Sequence, residues 1–207
     1  MPDARTHDKI TVATGVTLVP LAYAAQTSRG IESGAALSYT ALLVGAHLLS
    51  GIMFSPDLDL DSRIDDRWGI FFWIWRPYAW FVPHRHRLLS HGLVISQLLR
   101  LLYFYLVVVG LLAGLAWVLG RVGLVFPSYH IQLTTTLLNL ARDHPRETLA
   151  FMIGFCAGGA VHTIADWLVT DGKRYLRSSG IRVTRDYHDH DHWRPRADRY
   201  RPRSWGD

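Results

Sequence analysis

The chain has almost no cysteine. Of its 207 residues only Cys156 is one, so no intrachain disulfide can form and no cysteine-type zinc site exists. Cys156 itself lies in an apolar stretch and reads as a small packing residue. Charge is missing in blocks. Residues 34–56, 101–120 and 148–165 contain no Asp, Glu, Lys or Arg, and neither does the Thr- and Ala-rich stretch 10–28. A mean hydropathy of only +0.10 hides this segregation. A helix needs about 20 mostly apolar residues to cross the hydrocarbon core. Two of the blocks reach that length and two approach it. A soluble fold would need a core for all four at once. No internal repeat is present. No nucleic-acid-binding motif accompanies the basic charge, so nucleic acid is not an expected partner.

What remains is an all-α pattern, a polytopic membrane bundle of about four transmembrane helices. The spans are expected near 9–28, 34–55, 94–120 and 147–170. Ala22-Tyr23-Ala24 imitates a signal-peptide cleavage site. The weak, Thr-rich hydrophobic region and the leading Asp3 and Asp8 argue that the segment is retained as the first span. Pro20 is tolerable in a membrane helix with neighbours. The short link at 29–33 makes the first two spans an antiparallel hairpin. Residues 131–142 read as a short helix near the interface. A crossing there would reverse the fourth span and split the candidate site described below. Residues 1–172 thus form a membrane domain, and 173–207 a basic tail.

Four spans put both termini and the 57–93 link on one side. That side holds two Lys/Arg in the N-terminal arm, five in the link and ten in the tail, against Arg29, Arg121, Arg142 and Arg146 opposite. The excess of positive charge predicts an inner-membrane protein with both termini in the cytoplasm. The basic tail can also lie on anionic lipid.

Residues 68–83 hold four of the eight tryptophans and are broken by Pro77. Too short to span, this stretch is expected to lie at the headgroup level as an aromatic interfacial segment that frames the site. Gly110 and Gly114, and likewise Gly154 and Gly158, have the spacing that permits close helix approach.

Polar residues of one chemical kind recur where the spans end. His162 and Asp166 are four apart on the fourth span and share a face. Ionisable side chains in a membrane segment are costly and point to function. Asp57 and Asp59 directly follow the second span, after Pro56, in backbone disfavoured for helix. His86 and His91 precede the third span, with Arg87 between them to hold an anionic oxygen and Ser90 placed to cap the helix. His7 precedes the first span, where Thr6 or Asp8 also offers a cap. His7, Asp57, Asp59, His86, His91, His162 and Asp166 therefore converge on one face from every span. Imidazole with carboxylate suits zinc, manganese, iron or nickel. Seven candidates exceed one tetrahedral zinc shell, so either one ion with supporting neighbours or two ions are expected. Zinc is the first choice. His47, deep in the second span, reads as a packing or hydrogen-bonding residue. The run Asp186 to His192 resembles a metal-scavenging tract, but a solvated polar segment is the favoured reading.

Arg5-Thr6-His7-Asp8, Ser55-Pro56-Asp57-Leu58-Asp59, Arg67-Trp68-Gly69, His86 through Gly92 and Asp166-Trp167 give residues 3–175 a resemblance to an uncharacterised metal-binding family of bacterial and archaeal membrane proteins. More distantly the pattern looks like the YdjM-like inner-membrane metal-dependent hydrolases. Those carry an early His, a Pro-Asp-x-Asp, a His-Arg-x-x-Thr-His-Ser and a His-x-x-x-Asp. Here Ser90 stands for the Thr and Gly92 for the last Ser, so the final hydroxyl is lost while both histidines remain.

Two functions follow as expectations. One is a metal-dependent hydrolase at the membrane interface, acting on a lipid-like ester or phosphoester. Arg87 would steady its anionic oxygen, and His86 or His7 would complete the shell or act as general base. The other is a non-enzymatic metal clasp in a subunit or assembly factor of a larger membrane complex.

Overall fold

The computed structural model describes residues 4–55, 65–81 and 92–179. Among these every regular element is helical: α1 (Ala4–Thr27), α2 (Ser33–Met53), α3 (Asp65–Trp68), a 3-10 helix (Gly69–Trp75), α4 (Arg76–Phe81), α5 (Ile95–Arg121), α6 (Tyr129–Asp143) and α7 (Pro145–Ser178). Four helices are long and apolar enough to cross a membrane: Arg5–Thr27, Ser33–Met53, Ile95–Arg121 and Pro145–Val169. The all-helical, four-span architecture expected from the charge gaps is the one observed. The chain divides into a unit ending at Val169 and a second beginning at Thr170. The helix itself runs on to Ser178, so residues 173–178 of the expected tail are helical.

The α1–α2 hairpin is closed by local chemistry. Gly30 takes φ of 77°, a left-handed value that needs no Cβ. Ile31 N then donates to Gln26 O and Gly30 N to Thr27 O, which satisfies carbonyls the helix end leaves open. Glu32 starts the next helix by accepting from Gly34 N at 3.0 Å and Ala35 N at 3.4 Å. Pro20 stays inside a continuous α1.

The inward stripe of α7 has glycines where α2 lies against it. A Cβ at Gly154 would stand 2.0 Å from Leu43 O, and one at Gly158 would stand 2.2 Å from His47 O. These two bear out the expected close approach. Gly110 and Gly114 do not, since a Cβ there meets nothing within 4 Å among the described residues. Their spacing is the same, but no helix among the described residues presses on them.

The aromatic segment is two-faced. Phe72, Trp75 and Tyr78 are buried, whereas Ile70, Phe71, Trp73, Trp80 and Phe81 are exposed. A 3-10 helix turns once every three residues, so Phe72 and Trp75 fall on one side, and Tyr78 continues the row. That row packs on the end of the bundle. The ring of Phe54 meets Trp68, Trp75, Phe104 and Phe155 edge-on at 5.3–5.7 Å between centroids. The segment was expected to lie at the headgroup level and frame the site; its exposed face suits that place, while the row of Phe72, Trp75 and Tyr78 is packed into the core.

α6 has 15 residues, none buried, which is too short to span. Thr134 Oγ1 meets Tyr105 Oη at 2.9 Å and ties α6 against the side of α5.

Candidate metal centre

Three of the seven proposed ligands lie in the described residues, and they come together. His7 sits in the first turn of α1. His162 and Asp166 sit one turn apart on α7. One donor atom from each lies within 4.8 Å of the others. All three residues are buried, at 3%, 1% and 7% exposure. His7 Nε2 stands 3.2 Å from Asp166 Oδ1, and His162 Nε2 stands 3.4 Å from Asp166 Oδ2. The two imidazoles stack at 3.7 Å with 14° between their planes.

Nδ1 of His7 has no hydrogen-bond partner among the described residues, and the Asp166 oxygens meet the two imidazoles only at 3.2 and 3.4 Å, long for bonds to a charged group. Buried polar atoms left so call for an explanation such as an ion. Ser55 Oγ lies 3.1 Å from His162 Nδ1. When that nitrogen donates to Ser55, Nε2 turns a lone pair toward a carboxylate oxygen. Two acceptors then face each other, and a cation between them resolves the conflict. Ligand atoms about 2.0–2.1 Å from a tetrahedral ion stand roughly 3.3–3.4 Å apart, close to the two nitrogen–oxygen spacings here, which end on different oxygens of Asp166. The donor set fits a divalent metal. It does not choose among zinc, manganese, iron and nickel.

Asp57, Asp59, His86, Arg87 and His91 lie outside the described residues, as do Ser90 and the run 186–192. α5 begins at Ile95 with Val94 at its cap position. There Ser96 Oγ donates back to Gly92 O at 2.5 Å. The capping role offered to Thr6 or Asp8 is not the one observed. α1 starts at Ala4, so both lie inside its first turns. Asp8 Oδ2 instead accepts from Arg67 Nη2 at 2.6 Å. His47 behaves as expected: its Nε2 meets Thr14 Oγ1 at 2.9 Å and Thr11 O at 3.1 Å, binding α2 to α1.

Several site-building residues carried no individual role in the sequence. Ser55 orients His162. Arg67 and Trp68 bond the end of α2, through Ile52 O at 2.6 Å and Met53 O at 2.9 Å. Gln97 and Arg100 are fully buried, and Arg100 Nη1 donates to Gln97 Oε1 at 3.1 Å. Gln97 lies against Gly159, three residues before His162. An arginine and a glutamine in the opening turns of an apolar span were the available signal for that pair.

No curated protein and no solved structure matches the chain. A family model described as "Uncharacterized metal-binding protein (DUF2227)" matches residues 2–176. That range takes in α1, α2, α5 and the buried His7–His162–Asp166 group. The chain belongs to this metal-binding family.

Proposed function

We propose that the protein is a membrane-embedded, metal-dependent hydrolase working at the cytoplasmic face of the inner membrane on a lipid-like ester or phosphoester. The observation that carries this reading is the buried convergence of His7 from α1 with His162 and Asp166 from α7. Two imidazoles and one carboxylate form a donor set that leaves room on a tetrahedral ion. Such an ion supplies an ionised water near neutral pH and polarises a carbonyl or phosphoryl oxygen. Asp57, Asp59, His86 and His91 are the further ligands proposed from the sequence, and Arg87 the group for an anionic oxygen. The sequence motifs' resemblance to those of YdjM-like hydrolases points to the same chemistry. The exposed Trp73, Trp80 and Phe81 offer contact to lipid at the headgroup level. Zinc is the proposed ion, with manganese or iron as alternatives.

The experiment is reconstitution with each metal, followed by a screen of generic ester and phosphodiester substrates. Metal-dependent turnover is expected, and His162→Ala should lose both the bound metal and the activity. Turnover that survives in His162→Ala at full rate would sink the assignment. The orientation rests on the Lys/Arg asymmetry. A cysteine placed at Ser179 in a Cys156→Ser background should resist impermeant thiol reagents in intact cells. Efficient labelling there would reverse it.

A second reading has its own support. The three ligands join the first helix to the last and are nearly inaccessible. A metal held this way would clasp the bundle in a subunit or assembly factor of a larger membrane complex. Full metal occupancy without turnover, and with no exchangeable coordination position, would favour it.

A further inference from the structure

We propose that Arg67 is a positioning residue of the metal centre, a strut that holds His7 in register with Ser55 and α7. The proposal rests on the metal reading above.

Asp8 is the neighbour of His7 on the first turn of α1. Its carboxylate takes Arg67 Nη2 at 2.6 Å. The other arm of the same guanidinium, Nη1, donates to Ile52 O at 2.6 Å. Trp68 Nε1 donates to Met53 O at 2.9 Å. The last four carbonyls of a helix have no partner within it. Arg67 and Trp68 thus close the end of α2 from outside. Two residues beyond Met53, Ser55 Oγ meets His162 Nδ1 at 3.1 Å. One guanidinium therefore links the turn that carries His7 to the chain end that orients His162.

The chemistry calls for arginine. Its planar fork can address a carboxylate and a carbonyl in two directions at once, which a lysine ammonium on a flexible stem does not reproduce. The side chains of Arg67 and Asp8 are 22% and 34% exposed. Partly exposed ion pairs contribute little to stability. Direction is what this pair supplies. α1 is also held near the site by Thr11 against Gly51 and by His47, one and more turns further along, and by His7 against His162 and Asp166. Arg67 adds a hold on the residue next to His7. Groups that orient metal ligands from outside the coordination shell typically change metal affinity about 10–100-fold when removed.

The test uses the full chain in detergent, titrated with Zn²⁺ by calorimetry and with Co²⁺ by absorption. Arg67→Met keeps the aliphatic stem and removes both bonds. Asp8→Asn weakens only the link to α1. Both should bind Zn²⁺ more weakly, Arg67→Met by about 10–100-fold and Asp8→Asn by less. The Co²⁺ band should shift in Arg67→Met, while helicity and the melting temperature of the metal-free protein stay close to wild type. The double variant should bind no more weakly than Arg67→Met alone, because the strut is already cut. Should Arg67→Met fail to fold, Asp8→Asn decides. Unchanged affinity in every folded variant overturns the strut. Wild-type protein that takes up neither Zn²⁺ nor Co²⁺ overturns the metal reading itself, and the two failures are thereby distinct.

Discussion

The third and fourth spans look alike in sequence and differ in what they touch. Both are long, apolar and marked by a pair of glycines four apart. Among the described residues α5 buries only Ser96, Gln97 and Arg100, all in its opening turns. α7 instead buries a stripe that includes Phe155 and Ala165 beside His162 and Asp166. Hydropathy reports that a helix can leave water. It does not say whether the helix then faces lipid or protein, because lipid tails and leucine are equally apolar. The interior helix is distinguished by side chains that lipid would not tolerate and by glycines that something presses upon.

The sharpest way to break this comparison is to fill the glycines. Gly158→Leu places its first carbon 2.2 Å from the His47 carbonyl, a rigid backbone atom. The helices must separate, and we expect a loss of more than about 4 kcal/mol or no folded protein at all, an effect at the extreme of single substitutions. Gly114→Leu meets open space and should cost within roughly 0.5 kcal/mol, as for surface changes. Thermal unfolding in detergent separates the two. Equal losses at Gly158 and Gly114 would show that the third span also packs against protein.

The same contrast explains how much could be read in advance. Charge gaps found all four spans, since no backbone except a helix crosses lipid so simply. His7, His162 and Asp166 could be placed together because topology assigns helix ends to faces and the i, i+4 spacing assigns a side. The inward row of Phe72, Trp75 and Tyr78 was not legible, because its period of three appears only once the backbone is known to be 3-10. Ser55 stood in the family pattern, but its role was hidden for a different reason. A single serine after a helix has many ordinary uses, and its meaning comes from a residue 107 positions away. Arg67 stood out only as part of a family pattern, and its two bonds reach partners 15 and 59 residues distant.

Two serines sharpen the comparison at the smallest scale. Ser96, at the start of α5, donates to Gly92 O within its own chain segment. Ser55 reaches across to His162 on α7. If the less buried helix makes local bonds and the more buried helix receives the site, the two hydroxyls differ in consequence. Ser55→Ala releases His162 Nδ1 from its orienting partner and leaves the ring less constrained toward Asp166. Partners of this kind set ligand orientation and tautomer, so zinc affinity should fall by about 10-fold, the lower end of such effects. Ser96→Ala deletes only local bonds, to Gly92 O and from Gln97 Nε2, and should leave zinc affinity unchanged within about 2-fold, since it touches no member of the donor set. Calorimetric titration of both variants is the check. If Ser55→Ala binds zinc like wild type while His162→Ala does not, His162 is oriented by some other contact and the serine is only a packing residue.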